Sequence, residues 1–221
     1  MAEIALVTGF GGYGGRGRNP AGEAAQALDG RRIAGLTVAG RVLAVSYNGL
    51  QAELWRLMER LAPRLVVGLG LWPGEAMIRL ERIAINVADF EIPDNEGAFL
   101  TDAPITGDGS PAMMSTLPLR RIEAGLLDAG IPARISSTAG TFLCNAALYA
   151  ALSHASRLSP PPLAGFMHVP YLPEQVAEIV RSLRKSRGLE LGQRADMASM
   201  ELSTVVRAVA IAIEASATSL A

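Results

Sequence analysis

The sequence has 221 residues, of which 50% are hydrophobic and 19% charged, and its formal net charge is −1. This balance excludes a disordered chain and predicts one globular domain over residues 1–221 with a sizeable core. The basic residues, nearly all arginines, are scattered along the chain, so we expect no nucleic-acid partner. No stretch reaches the roughly 20 apolar residues that span a bilayer, and no secretory leader is recognisable. We therefore expect a cytoplasmic protein without a membrane partner.

Apolar runs typical of β-strands alternate with longer helical patterns along the chain, which indicates an α/β protein. We expect a three-layer sandwich around a largely parallel central sheet. The predicted strands are 3–8, 36–45, 65–70, 82–87, 131–136 and 164–168, and the predicted helices are 20–28, 49–61, 117–129, 142–156, 173–187 and 199–216. Two long loops, 9–19 and 88–116, are expected to carry function.

The segment 9–14 follows a strand and fits the pattern G-x-G-x-x-G of dinucleotide-binding turns. In that motif the third glycine opens a helix, and an acidic residue after the second strand holds the ribose. Here Pro20 begins the helix several residues later, and the second strand ends at Tyr47 without a carboxylate, while Asp29 precedes that strand. We predict no nucleotide and no other cofactor.

Cys144 is the only cysteine, and it lies in the first turn of the predicted helix 142–156. A helix N-terminus carries partial positive charge, which favours a thiolate and can stabilise an oxyanion. These properties make Cys144 a candidate nucleophile, with a buried structural cysteine as the alternative. One cysteine and two histidines are too few for a closed zinc site without carboxylates. We expect no metal.

A thiol nucleophile requires a base, and the two histidines differ in their reach. His154 follows Cys144 by ten residues on the same helix, about 15 Å away, and is better interpreted as a C-terminal cap. His168 ends a predicted strand just before Pro170. Strand ends and helix N-termini meet at one edge of a parallel sheet, so His168 is the predicted base, with a satisfied core histidine as the alternative.

A third group usually orients the imidazole, and it is most often a carboxylate. Three candidates are present. Glu81 immediately precedes the predicted strand 82–87 and would enter the interior with it, whereas Asp94 and Glu96 lie in a turn-rich loop. The residue pattern alone does not choose among the three.

Five ordered motifs resemble the pyroglutamyl peptidase I family, also called pyrrolidone carboxyl peptidase, over nearly the whole chain. They occupy residues 7–10 with 14–15 and 19–20, then 81–86, 92–97, 137–145 and 165–170. The resemblance implies a phosphorylase/hydrolase-like α/β fold, a homo-oligomer that is often a tetramer, and a Cys-His-Glu triad of Cys144, His168 and Glu81. It thereby selects Glu81 as the third member.

The family removes an N-terminal pyroglutamyl residue from peptides, so the resemblance implies a pyroglutamyl-peptide substrate and a small pocket for its lactam ring. A flat, uncharged ring suits aromatic walls with a few polar contacts. For Phe10 and Tyr13 the alternative is simple anchoring of a glycine-rich loop. The expected pocket residues are Phe10, Tyr13, Asn19, Leu71, Phe142 and Leu143.

The sequence departs from the family pattern at three places. Glu75 follows Pro-Gly where members usually carry an arginine, Glu91 stands where an arginine is frequent, and Gly12-Tyr13 replaces Pro-Phe. Two lost positive charges are expected to raise the pKa of Cys144 and weaken catalysis. Two alternatives therefore stay open: a thiol hydrolase for another small acyl or aminoacyl group, and a binding protein without turnover.

Overall fold

The computed structural model describes residues 3–186 and 197–220, and a seven-stranded sheet lies at its centre. The sheet strands are β1 (Ile4–Phe10), β2 (Arg32–Ile33), β3 (Leu36–Leu43), β4 (Leu65–Leu71), β5 (Ile78–Glu81), β8 (Ala133–Ser136) and β9 (Leu163–Val169). They lie in the order β2-β3-β1-β4-β9-β5-β8, and all neighbouring strands are parallel except the pairs β2–β3 and β5–β9. Two short strands, β6 (Ile83–Ile85) and β7 (Ala112–Met114), form a separate antiparallel pair.

Helices cover both faces of the sheet, so the predicted three-layer α/β fold is confirmed. The helices are α1 (Pro20–Leu28), α2 (Leu50–Leu61), α3 (Leu119–Asp128), α4 (Leu143–Ala155), α5 (Pro173–Ser186) and α6 (Leu202–Ala217). One apolar core joins α1, α3 and α6 to the sheet, and the other joins α2 and α4. Burying both sheet faces explains why the central strands β1, β4 and β9 are predominantly apolar.

Helix α4 is buried along nearly its entire length, as its predominantly apolar sequence predicts. Its N-terminus therefore lies inside the protein. Within residues 3–186 and 197–220, no helix combines the length and the apolarity needed to cross a membrane.

The predicted strand 82–87 is wrong in its bounds. The chain enters the central sheet earlier, as β5, and leaves it after Glu81, so that Glu81 ends a strand instead of preceding one. Two charged residues, Arg79 and Glu81, interrupt the apolar run of β5, and both are buried there. A search for a continuous hydrophobic run misses such a strand, because the charges interrupt it. Charges can be buried in this way only when they are paired.

Smaller differences concern the ends of elements and the long loops. The predicted loop 9–19 begins inside β1, and the predicted loop 88–116 contains β7. Residue 187 of the predicted helix 173–187 lies outside the described residues. The predicted helix 199–216 instead covers Leu202–Ala217.

The glycine-rich segment 9–14 allows α1 to lie directly on the sheet. A Cβ atom on Gly9 would be 2.1 Å from the backbone oxygen of Ala21 in α1. Asn19 caps the same helix, because its Oδ1 accepts a hydrogen bond from Ala21 N and its Nδ2 donates to Gly11 O. The close packing of α1 on β1 explains why residue 9 is a glycine, and a bound nucleotide is not needed to explain it.

Candidate active site

Cys144 is the second residue of α4 and faces the end of β4. A Cβ atom placed on Gly70 of β4 would lie 2.6 Å from Cys144 Sγ, so the absence of a side chain at Gly70 makes room for the thiol. The chain turns into α4 through Gly140, whose φ of 76° favours glycine. The helix N-terminus, the thiol and the end of a central strand thus meet in one place.

His168 lies near the end of β9 and pairs with Gly70 on one side and Arg79 on the other. Residues paired across neighbouring strands point to the same face of a sheet. His168 therefore lies on the face where Gly70 meets Cys144, and both His168 and Cys144 line one cavity. The structure places these two predicted residues together.

His154 lies at the far end of α4. It occupies the last turn, as the cap interpretation requires, but its ring stacks on Trp55 of α2 with centroids 5.2 Å apart. Its Nε2 is 3.8 Å from a carboxylate oxygen of Glu59. The side chain of His154 thus packs against α2. The predicted capping of the α4 carbonyls by His154 is wrong, because its ring has an aromatic partner instead.

Glu81 is the carboxylate that reaches His168. Its Oε1 lies 2.8 Å from His168 Nδ1, and both side chains are almost fully buried. With the proton on Nδ1 donated to Glu81, the Nε2 lone pair is free to accept a proton. The other two candidates have different partners: Asp94 accepts hydrogen bonds from backbone N–H groups, and Glu96 accepts one from Ser46.

Arg79 is a residue of this site that the sequence analysis missed. Its Nε donates to Glu81 Oε1 at 3.1 Å, and its Nη2 donates to Ser136 Oγ and to Thr138 O, both at 2.7 Å. The guanidinium also lies 3.6 Å from the ring centroid of Trp72. Arg79 neutralises the buried carboxylate and holds it in place. The alternation Arg79-Leu80-Glu81 would have indicated this pair, since residues i and i+2 of a strand share a face.

Two arginines place positive charge beside Glu75. Its carboxylate is 2.6 Å from Arg134 Nη2 and 3.8 Å from Arg79 Nη1. The pKa of Cys144 is raised, as expected, but by desolvation and the charge of Glu81 rather than by Glu75. Glu91, by contrast, has no ion pair among the described residues.

Burial decides the protonation state of both reacting groups. Desolvation, followed by the negative charge of Glu81, raises the pKa of Cys144 to about 12. Desolvation also lowers the pKa of His168, and this outweighs the opposing hydrogen bond and charge of Glu81. The resting pair is a neutral thiol and a neutral imidazole. The thiolate that the helix N-terminus was expected to favour is thus not the resting form.

Two adjoining pockets share Cys144. The smaller, of about 40 Å³, is lined by all six residues predicted for the lactam ring, together with Val45 and Cys144. The larger, of about 280 Å³, is lined by His168 and also by Trp72, Asp89 and Glu91. Phe142 contributes to both pockets and is held edge-on by buried Phe90, with ring centroids 4.6 Å apart.

A metal has no ready set of ligands in the part of the chain that the structure describes. No group of three or more His, Cys, Asp or Glu side chains there could hold an ion. The chemistry available at Cys144 is that of a thiol beside an imidazole that a carboxylate orients.

Comparison with known proteins adds a consistent set of relatives. A family model for pyroglutamyl peptidase matches residues 3–219. The pyrrolidone-carboxylate peptidase of Thermococcus litoralis is 41% identical over 212 residues, which cover 96% of this chain and 91% of the relative. That of Pyrococcus furiosus is 43% identical over 173 residues, which cover 78% and 83%.

Solved structures agree. A mutant pyrrolidone carboxyl peptidase from Pyrococcus furiosus superposes with a TM-score of 0.90 at 38% identity, covering 99% of this chain and 100% of the other. The pyrrolidone carboxyl peptidase from Thermococcus litoralis gives a TM-score of 0.88 at 39% identity, covering 97% and 93%. The resemblance stated from the five motifs is therefore confirmed.

Proposed function

This chain belongs to the pyroglutamyl peptidase family, and we propose that it removes an N-terminal pyroglutamyl residue from peptides with Cys144 as nucleophile, His168 as general base and Glu81 as the group that orients His168. The activity is that of a cysteine peptidase. The observation that carries the assignment of roles is the 2.8 Å contact between His168 Nδ1 and Glu81, beside a cavity that Cys144 also lines.

Acylation begins from the neutral pair. His168 Nε2 takes the thiol proton while Cys144 Sγ attacks the pyroglutamyl carbonyl carbon, and the imidazolium then gives this proton to the leaving amine. The C–N bond breaks and a thioester remains. Backbone N–H groups at the N-terminus of α4 stabilise the oxyanion of the tetrahedral intermediate. His168 next takes a proton from water, which hydrolyses the thioester, and Cys144 regains its thiol.

The lining of the smaller pocket has the chemistry that suits a lactam ring. Phe10 and Phe142 supply aromatic surface and Leu71 aliphatic surface, and no ionised side chain lines this pocket among the described residues. Burial raises the pKa of Tyr13 to about 12, so its hydroxyl is neutral. Asn19 Nδ2 donates to Gly11 O, which leaves a second amide hydrogen for a ring carbonyl.

Hydrolysis of a fluorogenic pyroglutamyl aminomethylcoumarin under reducing conditions tests the activity. We expect release of the fluorescent amine from this substrate and none from matched alanyl, prolyl and N-acetyl-alanyl amides, because these lack the lactam ring. Comparable rates across the panel would favour a hydrolase for other small acyl groups. Thermal stabilisation by a pyroglutamyl ligand without turnover would favour a binding protein.

The pH dependence of kcat/KM follows from the lowered pKa of His168. His168 acts as a base only when it is neutral, so activity is lost as pH falls through its folded-state pKa. Because burial places this pKa below the ordinary value of 6.5, we expect half-maximal activity on the acid side below pH 6.5. A pH-rate profile with a parallel check of folding measures it. An acid limb above that value would contradict the depressed pKa.

We also propose that the chain acts in the cytoplasm and assembles into a homotetramer. The support is the family resemblance, together with exposed apolar side chains such as Ile92, Phe99 and Met114, which are 46%, 59% and 56% exposed. Light scattering in solution checks the assembly, and a monomer at micromolar concentration would contradict it. Cell fractionation checks the location.

A further inference from the structure

We infer that Asp89 and Glu91 give this enzyme a preference for pyroglutamyl peptides whose second residue is cationic. The inference rests on the proposed function, since it concerns the part of the substrate that leaves. It assigns the larger of the two adjoining pockets, which Asp89 and Glu91 line, to the second residue of the peptide.

The direction of the substrate follows from His168. This side chain must protonate the leaving amine, and it lines the larger cavity but is not part of the lining of the smaller pocket. Cys144, which attacks the carbonyl carbon, lines both. With the lactam ring in the smaller pocket, the scissile bond lies at Cys144 and the amine of the second residue faces His168. The rest of the peptide then extends past Asp89 and Glu91.

The charge of the larger cavity is one-sided. Among the described residues, its lining includes two carboxylates and no lysine or arginine, and neither carboxylate has an ion pair. Arg79, which pairs with His168 across neighbouring strands, is already engaged by Glu81 and Glu75. A cationic substrate side chain would therefore find unpaired carboxylates, and an anionic one would be repelled.

Asp89 is held firmly beside the reacting thiol. Its backbone N–H donates to Thr141 O, and Thr141 Oγ1 donates to Asp89 O at 2.6 Å, three residues before Cys144. The side chain of Asn145 bonds the backbone of Ile85 and Val87 from the other side of Cys144. These bonds fix the backbone of Asp89, so only its short side chain has to be ordered when a substrate binds, which strengthens its effect on specificity.

The uncharged walls of the cavity complement this charge. Trp72, Pro73 and Ile92 contribute to its lining. Apolar walls of this kind suit the methylene stem of a lysine or arginine, whose charged end can then reach a carboxylate at the cavity mouth. Glu91 is exposed at this mouth, whereas Asp89 is partly buried. The chemical class of substrate is thus a pyroglutamyl peptide with a lysyl or arginyl second residue.

The test compares kcat/KM for three peptides, pyroglutamyl-X-alanine amide with X as Lys, Ala or Glu. We expect the order Lys, Ala, Glu, with about a tenfold ratio between the lysyl and glutamyl peptides, and a smaller ratio at high salt. Glu91→Gln and Asp89→Asn should each reduce the ratio, and Glu91→Arg should invert it. Asp108→Asn removes one exposed charge outside the cavity and should leave the ratio unchanged.

The alanyl peptide distinguishes failure of the charge preference from failure of the proposed function. Hydrolysis of the alanyl peptide with equal kcat/KM for all three would overturn the preference and leave the proposed function intact. A ratio that falls as much in Asp108→Asn as in Glu91→Gln would also overturn it, because overall charge would then be the cause. No hydrolysis of any peptide would overturn both the preference and the function.

Discussion

Replacing Cys144 with serine will lower kcat by at least about 10⁴-fold while binding of a pyroglutamyl peptide persists. The hydroxyl is a far poorer nucleophile than a thiol at an active site built for sulfur, and its proton is harder to remove. Release of aminomethylcoumarin measures turnover, and ligand-induced thermal stabilisation measures binding. The variant should still be stabilised by the ligand, because the six residues proposed to bind the lactam ring are unchanged.

The single thiol offers an internal control for this variant. Since the chain has one cysteine, iodoacetamide can label only Cys144, so activity should fall in direct proportion to label incorporated. The raised pKa of Cys144 predicts that labelling is slow at neutral pH and accelerates as pH rises. Wild-type turnover in Cys144→Ser, or full activity after complete labelling, would remove Cys144 from the mechanism.

Magnitudes explain why the helix N-terminus does not make the thiol of Cys144 acidic. A helix terminus contributes up to about 2 kcal/mol in partly buried geometries, which corresponds to roughly 1.5 pKa units. Full desolvation shifts a pKa by about 3 to 5 units. Here burial and the charge of Glu81 move the pKa of Cys144 from 9.0 to about 12. From the sequence alone the first effect is visible in the position of Cys144, but the second depends on packing by distant segments.

The fold class and two members of the site followed from rules about topology. In a parallel α/β sheet, strand ends and helix N-termini share an edge, and this was enough to bring His168 and Cys144 together. The third member required the bounds of one short strand. The residue pattern alone does not distinguish Glu81 from Asp94 and Glu96, because buried charges conceal β5, and only the family resemblance selects Glu81. Buried charges become intelligible when their partners are known.

The role of Arg79 could not be predicted for the same reason. Arg79 lies four residues after Glu75 and two before Glu81, and a segment with this many charges is typical of a strand on the protein surface. The neighbouring strands bury this segment, with His168 on one side and Ser136 near the other. Arg79 and Glu81 are therefore a buried ion pair. The departures from the family pattern were visible in sequence, but their partners, such as Arg134 for Glu75, were not.

Replacing Glu81 with glutamine will lower kcat by about 10³- to 10⁴-fold with little change in KM. In the proposed mechanism the carboxylate holds the proton of His168 on Nδ1. A glutamine that turns its amide N–H toward Nδ1 would stabilise the opposite tautomer, in which Nε2 carries the proton and cannot accept one from Cys144. Steady-state kinetics on the pyroglutamyl substrate measures the loss. Because Glu81 raises the pKa of His168, any residual activity should also extend to lower pH.

The same substitution will destabilise the fold by about 3 kcal/mol, since it removes a buried partner of Arg79. Glu75→Gln separates the two effects: it removes the carboxylate 3.8 Å from Arg79 but leaves the contact between His168 and Glu81 in place. We expect this control to lose stability, measured by urea unfolding, while kcat falls much less than in Glu81→Gln. Equal losses of kcat in the two variants would mean that Glu81 acts only through stability and not through the tautomer of His168.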